Sequence, residues 1–153
     1  MAASCTLAHD PFDPAEELRL FSADAAGMGA IASFTGVARP EAANGSAVHS
    51  MFLDHHPRMT QQSIEEIASD AAERFEIDAT RIVHRCGTIQ PNEPIVFVAA
   101  ASKHRRAALQ AVDYMMDRLK TEAFFWKREQ RDSGAHWIEP TDADYQDKER
   151  WAS

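Results

Sequence analysis

Residues 95–102, IVFVAAAS, constrain the fold more than any other segment, because they offer apolar side chains to both faces of a strand. A strand that is apolar on both faces belongs in the interior of a sheet, covered above and below. It follows a turn sequence, PNEP at 91–94, and precedes SKHRR at 102–106, where a helical pattern begins. We therefore expect a central strand with a partner on each edge.

Two amphipathic helices are predicted to pack against the sheet. The first begins near Thr60, the predicted N-cap, and places apolar residues at the i, i+3, i+4 and i+7 spacing of a helix. The second runs from about His104 to Lys120 and ends after Thr121, because the following Phe-Phe-Trp run favours a strand. Its inner stripe consists of Ala108, Val112, Met115 and Leu119.

The remaining segments are mostly strand-like. Strands are predicted at 30–38, 47–55, 81–89, 123–129 and 136–140, and a short helix at 13–21. The Asn44-Gly45 turn favours an antiparallel hairpin between the first two strands. The polar tail ends in Trp151, which we expect to dock by its ring. The pattern predicts an α+β fold, with a largely antiparallel sheet packed with two main helices, in a single domain covering residues 1–153.

Charge is distributed unevenly along this acidic chain, whose formal net charge is -8. Residues 103–131 hold eight of the 16 basic residues but four of the 24 acidic residues, so the segment carries +4 and the remainder −12. An acidic body with one basic segment argues against broad nucleic-acid binding and fits a local site for a small anion. RNA or phosphate binding by this segment remains a rival interpretation.

The compartment is predicted from what the chain lacks. No apolar run approaches the ~20 residues of a membrane span, and no secretory signal is recognisable. Cys5 and Cys86 lie far apart without CxxC spacing, which suits a reducing compartment, so we expect a cytoplasmic protein. Cys86 is interpreted as a small buried hydrophobe.

Neither a metal nor a cofactor is predicted. No nucleotide or cofactor motif occurs, and the spacing of a zinc site is missing from His49, His55, His56 and His84.

The segment LKTEAFFWKRE, residues 119–129, places Lys120 and Lys127 on either side of an aromatic patch. A helix that ends before the patch and a strand that returns would let both amines converge on one pocket. There, neighbouring cations and poor hydration would favour a neutral amine. The alternative is two lysines that lay their stems over the rings and keep their amines in water.

The junction at 102–106 offers a second basic site. His104 and Arg105 stand at a helix start, where free N–H groups bind anions and cations oppose the helix dipole. A phosphate cradle and a solvent-exposed basic turn are both compatible with this placement. Arg39, at the end of FTGVAR, could add a further phosphate ligand.

Four motifs together resemble the large, catalytic subunit of molybdopterin synthase, and the similarity extends from about Phe34 to Trp151. They are FTGVAR at 34–39, HRCG at 84–87, SKHRR at 102–106 and LKTEAFFWKRE at 119–129. The resemblance implies an α/β-hammerhead type of α+β fold and a homodimer within a heterotetramer. It also implies a small ubiquitin-like sulfur-carrier subunit, whose C-terminal Gly-Gly thiocarboxylate delivers sulfur to cyclic pyranopterin monophosphate to make the dithiolene of molybdopterin.

The resemblance also assigns site residues. Lys120 and Lys127 correspond to the family's catalytic pocket lysines. The substrate-binding set comprises Val37, Ala38, Arg39, His104, Arg105, Lys120, Lys127, Arg128 and Glu129. Our hypothesis is that Arg39, His104 and Arg105 hold the phosphate. Lys127 would stabilise the developing oxyanion, and Lys120, its pKa lowered by neighbouring cations, would shuttle a proton or form a transient covalent bond.

The chain departs from the family pattern at three places. Val37 stands where lysine is common, and His55-His56-Pro57 replaces the usual His-Tyr-Pro. Pro140-Thr141 replaces an arginine that reaches across the dimer in some members, for which Arg131 is a candidate substitute. A non-catalytic adaptor that binds a ubiquitin-like tail through the aromatic patch is the alternative function.

Overall fold

The computed structural model describes residues 2–152, which form two four-stranded sheets and four helices. The elements are β1 (Ala2–Ala8), α1 (Pro14–Asp24), β2 (Ala30–Val37), β3 (Val48–His55), α2 (Met59–Arg74), β4 (Ala79–Arg85), β5 (Gly87–Ile89), β6 (Pro94–Ser102), α3 (Arg105–Glu122), β7 (Phe125–Arg131), β8 (Gly134–Ile138) and α4 (Asp142–Glu149). The predicted mixed α+β class is confirmed, and every strand pairing is antiparallel within these residues except β1 with β4.

The first sheet has the order β1-β4-β6-β2, so β6 is interior, as its two apolar faces predict. Val96, Val98 and Ala100 pack in a core with α2 and α3. The alternate residues Phe97 and Ala99 pack in a second core with α1 on the opposite face. Because β6 is buried on both faces, it fixes the positions of all three helices.

The second sheet has the order β5-β3-β7-β8, and it overturns the predicted hairpin. The Asn44-Gly45 turn does form, with Gly45 at φ 85, but it closes only a bridge between Glu41 and Ala47. Pro40 follows β2 and has no N–H to extend a ladder. β2 therefore pairs with β6, while β3 crosses to the other sheet and pairs with β5 and β7.

The predicted strand at 81–89 is also wrong as a single element. It breaks at Cys86, after which Gly87 adopts φ 84, a conformation that favours glycine. β4 lies in the first sheet and β5 in the second, so the chain passes between the sheets at this point.

The helix α2 begins one residue before the predicted cap. Arg58 occupies the cap position without a side-chain hydrogen bond, and Thr60 is fully buried inside the first turn. The Thr60 hydroxyl accepts a hydrogen bond from the His56 N–H (2.8 Å) and donates one to the Phe124 carbonyl (2.6 Å). Thr60 thus anchors the connection between α3 and β7 rather than capping a helix.

The two ends of the chain contain elements that the sequence pattern did not predict, β1 and α4. The predicted docking of Trp151 is confirmed, since its ring meets those of Phe75 and Tyr114 edge-on and its Nε1–H donates to Asp117 (2.7 Å). The helix α3 ends at Glu122, in agreement with the predicted break. Among the described residues, no helix is long and apolar enough to cross a membrane.

Candidate active site

The connection from α3 to β7 brings the two lysines close together. Lys120 lies in the last turn of α3, where the helix dipole favours a cation, and Ala123 ends the helix with an extended backbone. The Phe125 N–H donates to the Ala123 carbonyl (2.8 Å), and the strand β7 begins. Lys127 lies two residues into β7, opposite Leu53 of β3. The predicted helix–turn–strand arrangement is therefore confirmed.

The electrostatics of Lys127 show which groups surround it. Its pKa is lowered first by burial, then by the charge of Lys120 and, more weakly, by that of Arg39. Glu129 and Asp144 act in the opposite direction and raise the pKa of Lys127. Two cations, Lys120 and Arg39, and two carboxylates, Glu129 and Asp144, thus act on the amine of Lys127. Lys120 and Lys127 lie close enough for their charges to interact, as the sequence predicted for this pair.

The pKa of Lys127 bears on the roles assigned from the sequence. The hypothesis above placed the lowered pKa on Lys120, which is exposed at the helix end. In the structure Lys127 is the half-buried lysine, and its pKa is lowered, with Lys120 as one cause. A lowered pKa increases the fraction of the amine that is neutral at a given pH, and only the neutral amine accepts a proton or acts as a nucleophile.

Arg39 is carried on a short segment held by the turn before β6. The strand β2 shifts register between Gly36 and Val37, after which the Ala38 N–H donates to the Glu93 carbonyl (2.9 Å). The Asn92 N–H donates in turn to the Ala38 carbonyl (2.7 Å). Ala38 is consequently buried, whereas the Val37 side chain is 48% exposed and Arg39 is exposed. Val37 and Ala38 place Arg39 through their backbone.

His84 lies close enough to Lys120 to be affected by its charge, and it was not included in the predicted site. Its ring stacks on Phe125, with centroids 4.0 Å apart and planes at 19°. Burial lowers the pKa of His84 to about 4, the Arg85 carbonyl opposes this, and the charge of Lys120 lowers it further. Because a carbonyl only accepts, the contact from His84 Nδ1 to Arg85 O (2.8 Å) requires a proton on Nδ1. A neutral imidazole with a free Nε2 acceptor therefore lies close to Lys120.

Asp144 is a second residue that the prediction missed. Its Oδ2 accepts from the Thr141 N–H (2.9 Å), and the Thr141 hydroxyl accepts from the Asp144 N–H (3.1 Å), which together form a capping box. The T-x-x-D spacing could have indicated the start of α4. Only the docking of α4, however, brings this carboxylate near Lys127.

His104 and Arg105 lie at the opposite end of α3 from Lys120. Fifteen residues of α-helix separate Arg105 from Lys120, about 22 Å at about 1.5 Å per residue. The His104 N–H donates to the Ser102 hydroxyl (3.2 Å), and the His104 side chain lines an open cleft of about 700 Å³ that also includes Lys103 and Arg106. One chain does not bring His104 or Arg105 together with the lysine pair.

Arg128 also points away from the lysines, because adjacent residues of a strand face opposite sides. Its guanidinium lies over the rings of Phe52 (5.1 Å) and Trp137 (5.4 Å). Glu129 shares the Lys127 face and accepts two hydrogen bonds from Arg131 (3.2 and 2.7 Å). Arg131 is therefore bound to a carboxylate within its own chain.

The fold and the site define a mixed α+β protein with a partly buried cluster of basic side chains. The family described as MoaE protein matches residues 7–122. The chain belongs to this family.

Relatives and solved structures agree with this assignment. The chain is 45% identical over 146 residues to the molybdopterin synthase catalytic subunit of Caulobacter vibrioides, covering 95% of each chain. It is 42% identical over 140 residues to the Pseudomonas aeruginosa protein of the same name, covering 92% of this chain and 93% of the other. The structure of a molybdopterin biosynthesis MoaE protein from Burkholderia ambifaria superposes with a TM-score of 0.79 at 35% identity, covering 100% of this chain and 99% of the other.

Proposed function

We propose that this chain is the catalytic subunit of a molybdopterin synthase. It transfers sulfur from the C-terminal thiocarboxylate of a small ubiquitin-like carrier to cyclic pyranopterin monophosphate. The observation that carries the proposal is that the charges of Lys120 and Arg39 act on the half-buried amine of Lys127 in a member of the MoaE family. Its free cysteines, Cys5 and Cys86, suit the reducing cytoplasm, where we place it.

The chemistry assigns distinct roles to the lysines. The thiocarboxylate sulfur displaces an oxygen from a substrate carbon, so that a C–S bond forms as a C–O bond breaks, and water then hydrolyses the resulting thioester to a substrate thiol and a carrier carboxylate. Two such transfers, each using one thiocarboxylate, supply the two sulfurs of the dithiolene. Lys120, exposed at the helix end, stabilises the oxyanion of the tetrahedral intermediate as a cation. Lys127, whose pKa is lowered, accepts the proton of the attacking water. Arg39 binds the substrate phosphate. This exchanges the roles that the sequence suggested, because the lowered pKa belongs to Lys127.

His104 and Arg105 contribute to the site of a second copy of the chain. They are separated from Lys120 by about 22 Å along α3, which exceeds the reach of a single small substrate. A twofold dimer can place the start of one α3 beside the lysines of the other copy. With one carrier for each site, the assembly is a heterotetramer.

The proposal is tested by combining the purified chain with thiocarboxylated carrier and cyclic pyranopterin monophosphate and measuring molybdopterin formation. Lys127→Ala is expected to lose about 100-fold or more of kcat, the usual contribution of a positioned acid–base group. The control is Arg19→Gln, which removes an exposed cation of α1 that is bound to Glu16. An inactive wild-type mixture, or a Lys127→Ala variant with normal kcat, would contradict the proposal.

The exposed aromatic patch supports the alternative function, a non-catalytic adaptor. Phe124 is 39% exposed and Trp126 48% exposed, which would suit docking of a carrier without chemistry. An adaptor needs no substrate site. Binding of the cyclic pterin phosphate to the isolated chain, weakened in Arg39→Gln, would therefore exclude the adaptor.

A further inference from the structure

His9, His55 and Cys86 form a cluster that has no part in the chemistry proposed above. One donor atom of each lies within 4.8 Å of the others. Cys86 Sγ lies 3.3 Å from His9 Nδ1, and the rings of His9 and His55 meet edge-on with centroids 5.5 Å apart. The three residues are 46 and 31 positions apart in the sequence, so no local spacing reveals them.

The two sheets bring these residues together at the point where the chain crosses between them. His9 directly follows β1, and the Cys86 N–H donates to the Ala8 carbonyl (3.0 Å), which places His9 beside Cys86. Leu53 pairs with Gly87 in the antiparallel β3–β5 ladder, so the last residue of β3, His55, lies against the chain just before Gly87. One backbone contact therefore places His9 beside Cys86, and the β3–β5 ladder places His55 near them.

The donor set matches one class of ligand. A thiolate and imidazole nitrogens bind Zn²⁺, and a tetrahedral ion with bonds of about 2.0 Å to nitrogen and about 2.3 Å to sulfur needs its donors about 3.3–3.8 Å apart. The contact between Cys86 and His9 already meets this separation, and the third donor reaches it through a small rotation of a side chain. Within residues 2–152, the ring nitrogens of His55 make no hydrogen bond that would oppose this movement.

The burial of the three side chains would let an ion enter the cluster from solvent. Cys86 is fully buried, His55 is half-buried and His9 is exposed, so the cluster opens to solvent on the imidazole side. Three protein donors leave the fourth position of a tetrahedral ion to water or an exogenous ligand.

We propose that His9, His55 and Cys86 bind one Zn²⁺ ion that fastens the first sheet to the second. His9 follows a strand of the first sheet, His55 ends a strand of the second, and Cys86 is the residue between them. A bound ion would cross-link the end of β1 to the end of β3, where the chain passes from the first sheet to the second. It would stabilise the folded state in proportion to its occupancy.

The test is titration of chelator-treated full-length protein with Zn²⁺ and, as a spectroscopic probe, with Co²⁺. We expect one ion per chain, a thiolate-to-cobalt absorption band in the near ultraviolet, and a melting temperature that rises with Zn²⁺. Cys86→Ala should abolish the band, and His9→Gln or His55→Gln should weaken Zn²⁺ binding at least about tenfold, because each removes a ligand. His9 is exposed, so His9→Gln tests the site even if the buried Cys86→Ala variant does not fold.

Matched controls come from the same chain. Cys5→Ala removes the other cysteine, and His49→Gln removes a histidine that pairs with Asp132. Both should bind Zn²⁺ like the wild type. Failure of the wild type to bind micromolar Zn²⁺ would overturn the proposal. Unchanged binding in Cys86→Ala or His9→Gln, or an equal loss in both control variants, would do the same.

Discussion

Subunit mixing tests whether one active site uses residues from two chains. We consider a heterodimer in which one subunit carries Lys127→Ala and the other His104→Ala, purified through two different affinity tags. Each homodimeric variant is expected to be nearly inactive, because every site lacks either the lysine or the histidine. If each site uses residues of both subunits, the heterodimer contains one intact site; if each site uses residues of one subunit, it contains none.

The expected magnitude follows from the length of α3. About 22 Å of helix lies between Arg105 and Lys120, so in the proposed twofold dimer His104 serves the site of the other subunit. In the heterodimer, one site then receives both substitutions and the other receives none. The heterodimer should therefore have about half of the wild-type kcat per dimer, with an unchanged KM. If both residues served the same chain, each site would hold one defect and activity would stay at the level of the variants.

The assay is molybdopterin formation at saturating carrier, with wild-type protein carrying both tags as the control for tagging and mixing. Dimer exchange during the assay is checked by repeating the purification afterwards. A heterodimer no more active than either parent, although it is dimeric and folded, would refute the assignment of His104 to the opposite subunit.

Three other outcomes follow from the contacts described. In a profile of kcat/KM against pH, activity should rise as Lys127 loses its proton, at a pH below that of an ordinary lysine. Lys120→Gln should move this rise to higher pH, because removing a like charge favours the protonated form of Lys127. Gly29→Ala would place a Cβ 2.2 Å from the Lys103 carbonyl oxygen, so it should shift the start of α3 and raise KM for the pterin more than it lowers kcat. Ile67→Ala, at a side chain only 1% exposed, should cost about 2–5 kcal/mol and lower the melting temperature by about 10 °C in a thermal unfolding scan.

Local patterns were sufficient to predict the elements that carry the lysines. The apolar stripe of α3 and the aromatic run after Thr121 predicted a helix followed by a strand, and the structure has them at Arg105–Glu122 and Phe125–Arg131. This arrangement alone brings Lys120 near Lys127. Both patterns arise from side-chain burial within one short segment, so the spacing of apolar residues in the sequence is enough to predict them.

Pairing between distant segments could not be predicted in the same way. The strand β1, AASCTLA, has mostly small side chains, and its ladder partner is β4, more than 70 residues away. The helix α4 has no buried residue and shows no apolar stripe, and the residues that follow it, Arg150 and Trp151, hold it to α3. Asp144 near Lys127 was therefore missed, although its capping box is visible in the sequence.

The break at Cys86 accounts for the largest difference between prediction and structure, and it also shapes the site. As one strand, residues 81–89 would keep His84 and Gly87 in the same sheet. Gly87 turns the chain instead, so β4 ends beside β6 while β5 pairs with β3. Since β3 also pairs with β7, this crossing brings Phe125 over His84, and the charge of Lys120 acts on the His84 ring of the stacked pair. A residue with a Cβ at position 87 would oppose the φ of 84 that permits the crossing. The arrangement of the lysine site therefore depends on the backbone conformation of Gly87, a residue without a side chain.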